Sequence, residues 1–358
     1  MSKSYTILYQ GDIKTALTKH DILDFMVLNE KLAVIYVEDS FDEVKISKIP
    51  EICSWEKEEV MSSLIDITNQ LSFGISASYA SGVNYVNKNP YINASGKNVL
   101  IGIIDSGIDY LHPDFINNDN TTKIVSIWDQ GSDKKNSPQG TIFGSEFTRE
   151  DINKAIKDNE STLTADEIGT GTIAAGICAG RGKLNSEYLG VAVDSELVVV
   201  KLRQYEGKFK KGVIHYINTD FLAAIKYVLD ISKREQKYTI INLTVGGRSS
   251  SALIATYLDT FTYLSSSGIV LVSGAGNEGN TDIHYQGFFN DPNYFNSAIL
   301  LLIFINIIEL NNNICNLKKI ILMISIILLT FLQIATASRS GIFGILVIWL
   351  LILKYNKY

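Results

Sequence analysis

Short apolar runs separated by longer mixed segments set the character of the first 296 residues. Val99 to Ile104, Ile124 to Trp128, Leu197 to Leu202, Thr239 to Leu243 and Ile269 to Ser273 each have the length and β-branched content of a buried strand. Between them, Thr172 to Ala179 and Thr219 to Ile231 read as helices. Strands alternating with helices predict an α/β domain on a doubly wound parallel sheet over residues 67–296. Residues 1–66 follow another rhythm. Tyr5 to Tyr9 and Leu32 to Val37 alternate with charged, helix-compatible stretches and predict a small α+β unit. From Asn69 to Lys97, Ser, Gly, Asn and Tyr predominate, as suits an irregular lead-in to the core.

The pattern changes at residue 297. Of the 62 residues that follow, 29 are Ile or Leu, in three apolar stretches: Ser297 to Leu310, Ile320 to Thr336 and Gly341 to Leu353. Each is shorter than the roughly 20 apolar residues of a bilayer-spanning helix, and the first also carries Asn306 and Glu309. No α/β domain needs three apolar helices in near succession at its end, so residues 297–358 are expected to insert in a membrane. With the second and third stretches as a hairpin, Lys318, Lys319, Lys354 and Lys357 fall on one side and Arg339 on the other, which sets both ends cytoplasmic.

Charge follows the same division. The net charge of −6 contains five basic residues and one acid after residue 296, leaving 27 basic against 37 acidic before it. A nucleic-acid partner is excluded for so acidic a region. Cys53, Cys178 and Cys315 are widely spaced with no CxxC pair, so neither a disulfide framework nor a metal site is expected, nor any cofactor. Met1 to Lys14 lacks the basic start and apolar centre of a secretory signal, which keeps residues 1–296 inside the cell.

Candidate chemistry begins at Asp105. The run Val99 to Ile104 ends on this carboxylate, and Ser106-Gly107 turns the backbone directly after it. Asp105 therefore stands at the carboxyl end of a strand, where the functional crevice of an α/β sheet lies. Further on, Gly169-Thr170-Gly171-Thr172-Ile173-Ala174-Ala175-Gly176 follows Asp166-Glu167-Ile168, Ile241 to Gly247 reads as a strand with a glycine turn, and Ser273-Gly274-Ala275-Gly276-Asn277-Glu278-Gly279 forms another strand-end turn.

Three of these strings, in this order, resemble the motifs of subtilisin-like serine proteases. The stretch from Val99 to Phe115 is similar to the aspartate motif, with Asp105 as the triad aspartate. The glycine-rich string at 169–176 is similar to the histidine motif, with Thr170 where the general base should stand. A threonine hydroxyl has no accessible pKa near neutrality and cannot take a proton from a nucleophile. Of the four histidines, His112 belongs to the aspartate motif, and His20, His215 and His284 lie outside any matching string. Thr244, Val245 and Gly246 match the strand that lines the family's substrate cleft, where a peptide pairs edge-on. Asn277 matches the oxyanion-stabilising asparagine. The nucleophile motif Gly-Thr-Ser is absent, and Ser325, Ser338 and Ser340 lie in the apolar tail without its surroundings.

The resemblance implies a subtilisin-like fold, truncated near residue 296, with residues 1–66 as its prodomain. Within the family, the neighbourhood Asp166-Glu167-Ile168-Gly169-Thr170-Gly171-Thr172 is similar to the clostridial Csp germination group, which includes a pseudoprotease with threonine in place of the histidine. That implies a non-catalytic protein of the spore, with Csp-type proteases or a cortex hydrolase precursor as partners and a bile-salt germinant as a ligand. Two other readings stay open: an active serine endopeptidase, and a chimera whose tail is a piece of a membrane glycan polymerase. For the latter, Thr336 to Gly341 faintly resembles a segment of O-antigen ligases.

Overall fold

The computed structural model of the chain describes residues 3–63, 82–205, 214–246 and 251–274, except 21, 23, 88 and 93, together with Ser325. Met1–Ala275 forms one compact unit and Gly276–Tyr358 a second. Apart from Ser325, the apolar stretches predicted to enter a membrane lie outside the described residues. Among the described residues no helix is long and apolar enough to cross one.

The first unit opens with β1 (Lys3–Tyr9), α1 (Ile13–Lys19), β2 (Phe25–Val27), β3 (Leu32–Val37) and β4 (Ile52–Lys57). These strands form an antiparallel sheet in the order β2-β3-β1-β4. Both faces are covered, so Leu32 to Tyr36 are buried without a break. Tyr5, Ile7, Ala33 and Ile35 pack under α1, whose start is capped by Asp12. Val34, Tyr36 and Met26 face the other way and join the core of the main domain.

That domain is a six-stranded sheet, ordered β13-β11-β6-β9-β7-β8, preceded by a short helix α2 (Val83–Asn87). β6 (Val99–Asp105), β7 (Ile124–Asp129), β9 (Glu196–Lys201), β11 (Tyr238–Leu243) and β13 (Ile269–Ser273) are parallel, and each predicted run is found within a residue of its expected bounds. β8 (Ser145–Thr148) departs from expectation and closes the edge antiparallel to β7. Its sequence, Ser-Glu-Phe-Thr, has no apolar run to announce it. α3 (Arg149–Asp158) follows at once, started by a capping box between Thr148 and Asp151.

One face of the sheet, through Ile101, Ile103 and Val199, packs against α4 (Thr170–Ala179) and α3. The other, through Leu100, Ile104, Val200 and Ile241, packs against α5 (Asn218–Glu235) and α6 (Ala252–Leu264). The N-terminal sheet rests on these two helices. Glu56 accepts hydrogen bonds from the Ser251 hydroxyl and the Ala252 amide (3.0 Å) at the start of α6, where the helix dipole favours a carboxylate. Glu59 and Asn218 exchange two hydrogen bonds of 2.9 and 3.0 Å at the start of α5.

Candidate active site

β6 ends on Asp105, and pairing of Asp105 with Lys201 keeps it in the sheet to its last residue. The carboxylate is fully buried. α4 runs back over β6, and Gly171 allows this approach: a Cβ there would lie 2.1 Å from the Gly107 carbonyl oxygen. This contact brings Thr170 to Asp105. The Thr170 hydroxyl donates to Asp105 Oδ1 at 2.5 Å, and the Ser106 amide donates to the same oxygen at 2.6 Å. Thr244, expected to line a cleft, turns its hydroxyl inward to Asp105 Oδ2, with the Ile104 carbonyl 2.9 Å away. Burial pushes the Asp105 carboxyl up, against the pull of the hydrogen bonds from Thr170, Thr244 and Ser106.

A second carboxylate completes the arrangement. Asp166 Oδ1 accepts from the Ser106 hydroxyl (2.7 Å) and the Gly169 amide (2.8 Å), and Oδ2 accepts from the Thr172 amide (2.8 Å) and hydroxyl (2.6 Å). It thereby satisfies amides at the head of α4 that Gly169, as the helix cap, cannot. Burial alone would raise its pKa, but these hydrogen bonds outweigh burial and hold the carboxyl below its usual range. Sequence reasoning passed over Asp166 and Ser106. An acidic residue just ahead of a helix start was the available signal.

The edge formed by Val245 and Gly246 is taken up by a strand of the chain itself. β5 (Val60–Ser63) leaves the N-terminal sheet and lies as the middle strand between β10 (His215–Ile217) and β12 (Val245–Gly246), antiparallel to both. Ser63 pairs with Val245, and Ser62 with Gly246 on one side and His215 on the other. Val245 and Gly246 pair edge-on with this strand of the chain itself. Four residues of mixed character gave no periodicity from which to foresee β5.

The described histidines sit elsewhere in the fold. His20 ends α1, His112 accepts from the Asp114 amide in the turn after β6, and His215 belongs to β10. Asn277 and His284 lie outside the described residues, as do Ser338 and Ser340. Among the described residues no group of His, Cys, Asp and Glu could hold a metal ion. Burial raises the Cys178 thiol to about 11, which keeps it inert near neutrality.

Comparison with known proteins matches residues 96–311 to the subtilase family of S8 peptidases. The chain belongs to the subtilase family. Among characterised subtilases it is 24% identical over 267 residues to subtilisin from Bacillus sp. (strain TA39), and 29% identical over 189 residues to subtilisin E from Bacillus subtilis (strain 168). These alignments take in 74% and 52% of this chain, and 52% and 36% of the two relatives. The chain therefore spans about half or less of the length of these subtilases. Among solved structures it is similar to the Clostridium perfringens CspB protease, with 29% identity and a TM-score of 0.49 over 60% of this chain and 43% of that one.

Proposed function

We propose that this subtilase is a catalytically inactive member, a pseudoprotease of the CspC kind, that acts by binding. The observation that carries the reading is the Thr170 hydroxyl at 2.5 Å from Asp105, where the family's general base would stand. Threonine holds the aspartate and cannot serve as the general base that takes a nucleophile's proton. With threonine at the base position, the residues 1–66 unit stays attached as an uncut prodomain, and β5 stays in the cleft.

By its motif resemblance to the Csp group, the protein serves spore germination, upstream of cortex hydrolase activation. Its partners are Csp-type proteases or the hydrolase precursor, and a bile-salt germinant is a candidate ligand. Residues 297–358 anchor it in a membrane, with residues 1–296 in the spore or on the cytoplasmic side.

Treatment of the purified full-length chain with a fluorophosphonate probe tests the reading. No serine should be labelled, and the protein should run as a single full-length band. Stoichiometric labelling, or a product formed in pure protein that begins between about residues 60 and 80, would establish an active endopeptidase instead.

A further inference from the structure

Four oxygens form an unbroken row through the candidate site: Asp105 Oδ1, Thr170 Oγ1, Ser106 Oγ and Asp166 Oδ1. The successive gaps are 2.5, 2.8 and 2.7 Å, each within hydrogen-bond range. With both carboxylates ionised, only the two hydroxyl protons are available to fill three gaps. One then goes to Asp105 and the other to Asp166, which leaves the Ser106 and Thr170 oxygens 2.8 Å apart with no proton between them. A third proton on Asp105 removes the defect. Asp105 then donates to Thr170, Thr170 to Ser106, and Ser106 to Asp166.

We infer that Asp105, Thr170, Ser106 and Asp166 form a one-proton site, in which a single proton taken from solvent is shared between the buried Asp105 carboxyl and the half-buried Asp166 carboxyl through two hydroxyls. Thr170 creates it, because a hydroxyl both donates and accepts, so it can reverse its hydrogen bond when the proton arrives. No bond other than O–H changes, and the row goes from net charge −2 to −1. The upward displacement of Asp105 and the downward displacement of Asp166 agree with residence of the proton at the Asp105 end.

The groups that face the row from neighbouring elements fit. Thr244 contacts Asp105 Oδ2 from the turn after β11. Thr172 and the Gly169 amide hold Asp166 from α4. From β10, buried Tyr216 is itself raised, chiefly by burial and further by the charges of Asp105 and Asp166. Lys201 from β9 is engaged by Glu167 (2.7 Å) and the Ala165 carbonyl (2.6 Å). The row joins the end of β6 to the head of α4, and Thr244 extends it to β12 beside β5. Its protonation tightens this junction and its ionisation loosens it.

Infrared difference spectra of the full-length protein during a pH titration read the site directly, through the carbonyl stretch of a neutral carboxyl. Asp220 contributes its own signal, with a pKa of about 6, so the wild-type minus Asp105→Asn difference isolates the row. A neutral carboxyl should persist above the ordinary aspartate range and be lost in Asp105→Asn. Ser106→Ala and Asp166→Asn should each lower its ionisation by about 1–3 pH units, and Ser106→Thr should restore it. A merely structural Ser106 would alter the melt and leave the ionisation in place. If wild type and Asp105→Asn give the same spectra, the shared proton does not exist, a result that needs no variant of Ser106 or Asp166 to fold. Labelling by a fluorophosphonate would overturn the function proposed above and leave this inference standing.

Discussion

Two glycines five residues apart on α4 should respond to alanine with opposite signs. At Gly171 the new Cβ would sit 2.1 Å from the Gly107 carbonyl oxygen, 3.0 Å from its nitrogen and 3.1 Å from its carbonyl carbon. All three are backbone atoms at the end of β6, with no flexible side chain to yield. An ordinary carbon to oxygen contact requires a retreat of roughly 1 Å. Overpacking of this kind costs about 1–3 kcal/mol. The retreat would also pull Thr170 beyond hydrogen-bond reach of Asp105, and an internal hydrogen bond between neutral groups contributes about 0.5–1.5 kcal/mol. Together Gly171→Ala should lose about 2–4 kcal/mol. At Gly176, in the same helix, a Cβ meets nothing within 4 Å, so Gly176→Ala should gain about 0.5–1 kcal/mol from helix propensity alone. Urea unfolding of both full-length variants, followed by tryptophan fluorescence, gives the two midpoints against wild type. A loss below about 1 kcal/mol at Gly171, or a loss of any size at Gly176, would refute the close packing of α4 on β6.

Three further outcomes test other parts of the structure. Thr170→His should neither cut the chain nor react with a fluorophosphonate. In subtilisin, where these effects were defined, loss of the serine alone costs on the order of 10⁶ in kcat, so mass-spectrometric detection of a labelled serine would reveal an unrecognised nucleophile. Glu56→Ala should cost about 1–2 kcal/mol by uncapping α6, and an unchanged urea midpoint would show that the N-terminal sheet does not hold that helix. Arg203→Met should cost about 3–5 kcal/mol near pH 7.5, because it strips the buried Asp220 of its two 3.1 Å hydrogen bonds. Asp220 is raised to about 6, chiefly by burial, so the folded state binds its proton more tightly than the unfolded chain does, and stability falls as pH rises from about 3.8 through 6. The penalty in Arg203→Met should therefore shrink below about pH 6, and a penalty independent of pH would count against the burial of Asp220.

The parallel strands were legible because each reads as an apolar run: β6, β7 and β9 are buried along most of their length, and β11 and β13 keep the run although one face of each is largely exposed. Val99–Asp105 is the clearest case, since the switch from Ile104 to Asp105 marks the strand end and the site together. β8 was not legible, because an edge strand of four residues beside a helix cap looks like a loop. The Asp105 and Thr170 pair could be expected from the motif strings, but the inward turn of Thr244 could not: whether a strand-end hydroxyl faces cleft or core depends on what lies beneath it, here the end of β6. β5 is the largest omission. Its place depends on pairing with residues more than a hundred positions away, and local pattern carries no trace of such pairing.

That internal strand has a consequence for any molecule that seeks the same place. β5 is tethered to the surfaces it pairs with, so its effective concentration at β10 and β12 is on the order of millimolar. A free peptide of micromolar intrinsic affinity competes against a rival that never diffuses away, and its apparent affinity falls by the fraction of time the strand position stands empty. Peptides added from solution should therefore bind weakly at this edge whatever their sequence. A ligand that first detaches the N-terminal sheet from α5 and α6 would remove the competitor and the penalty at once.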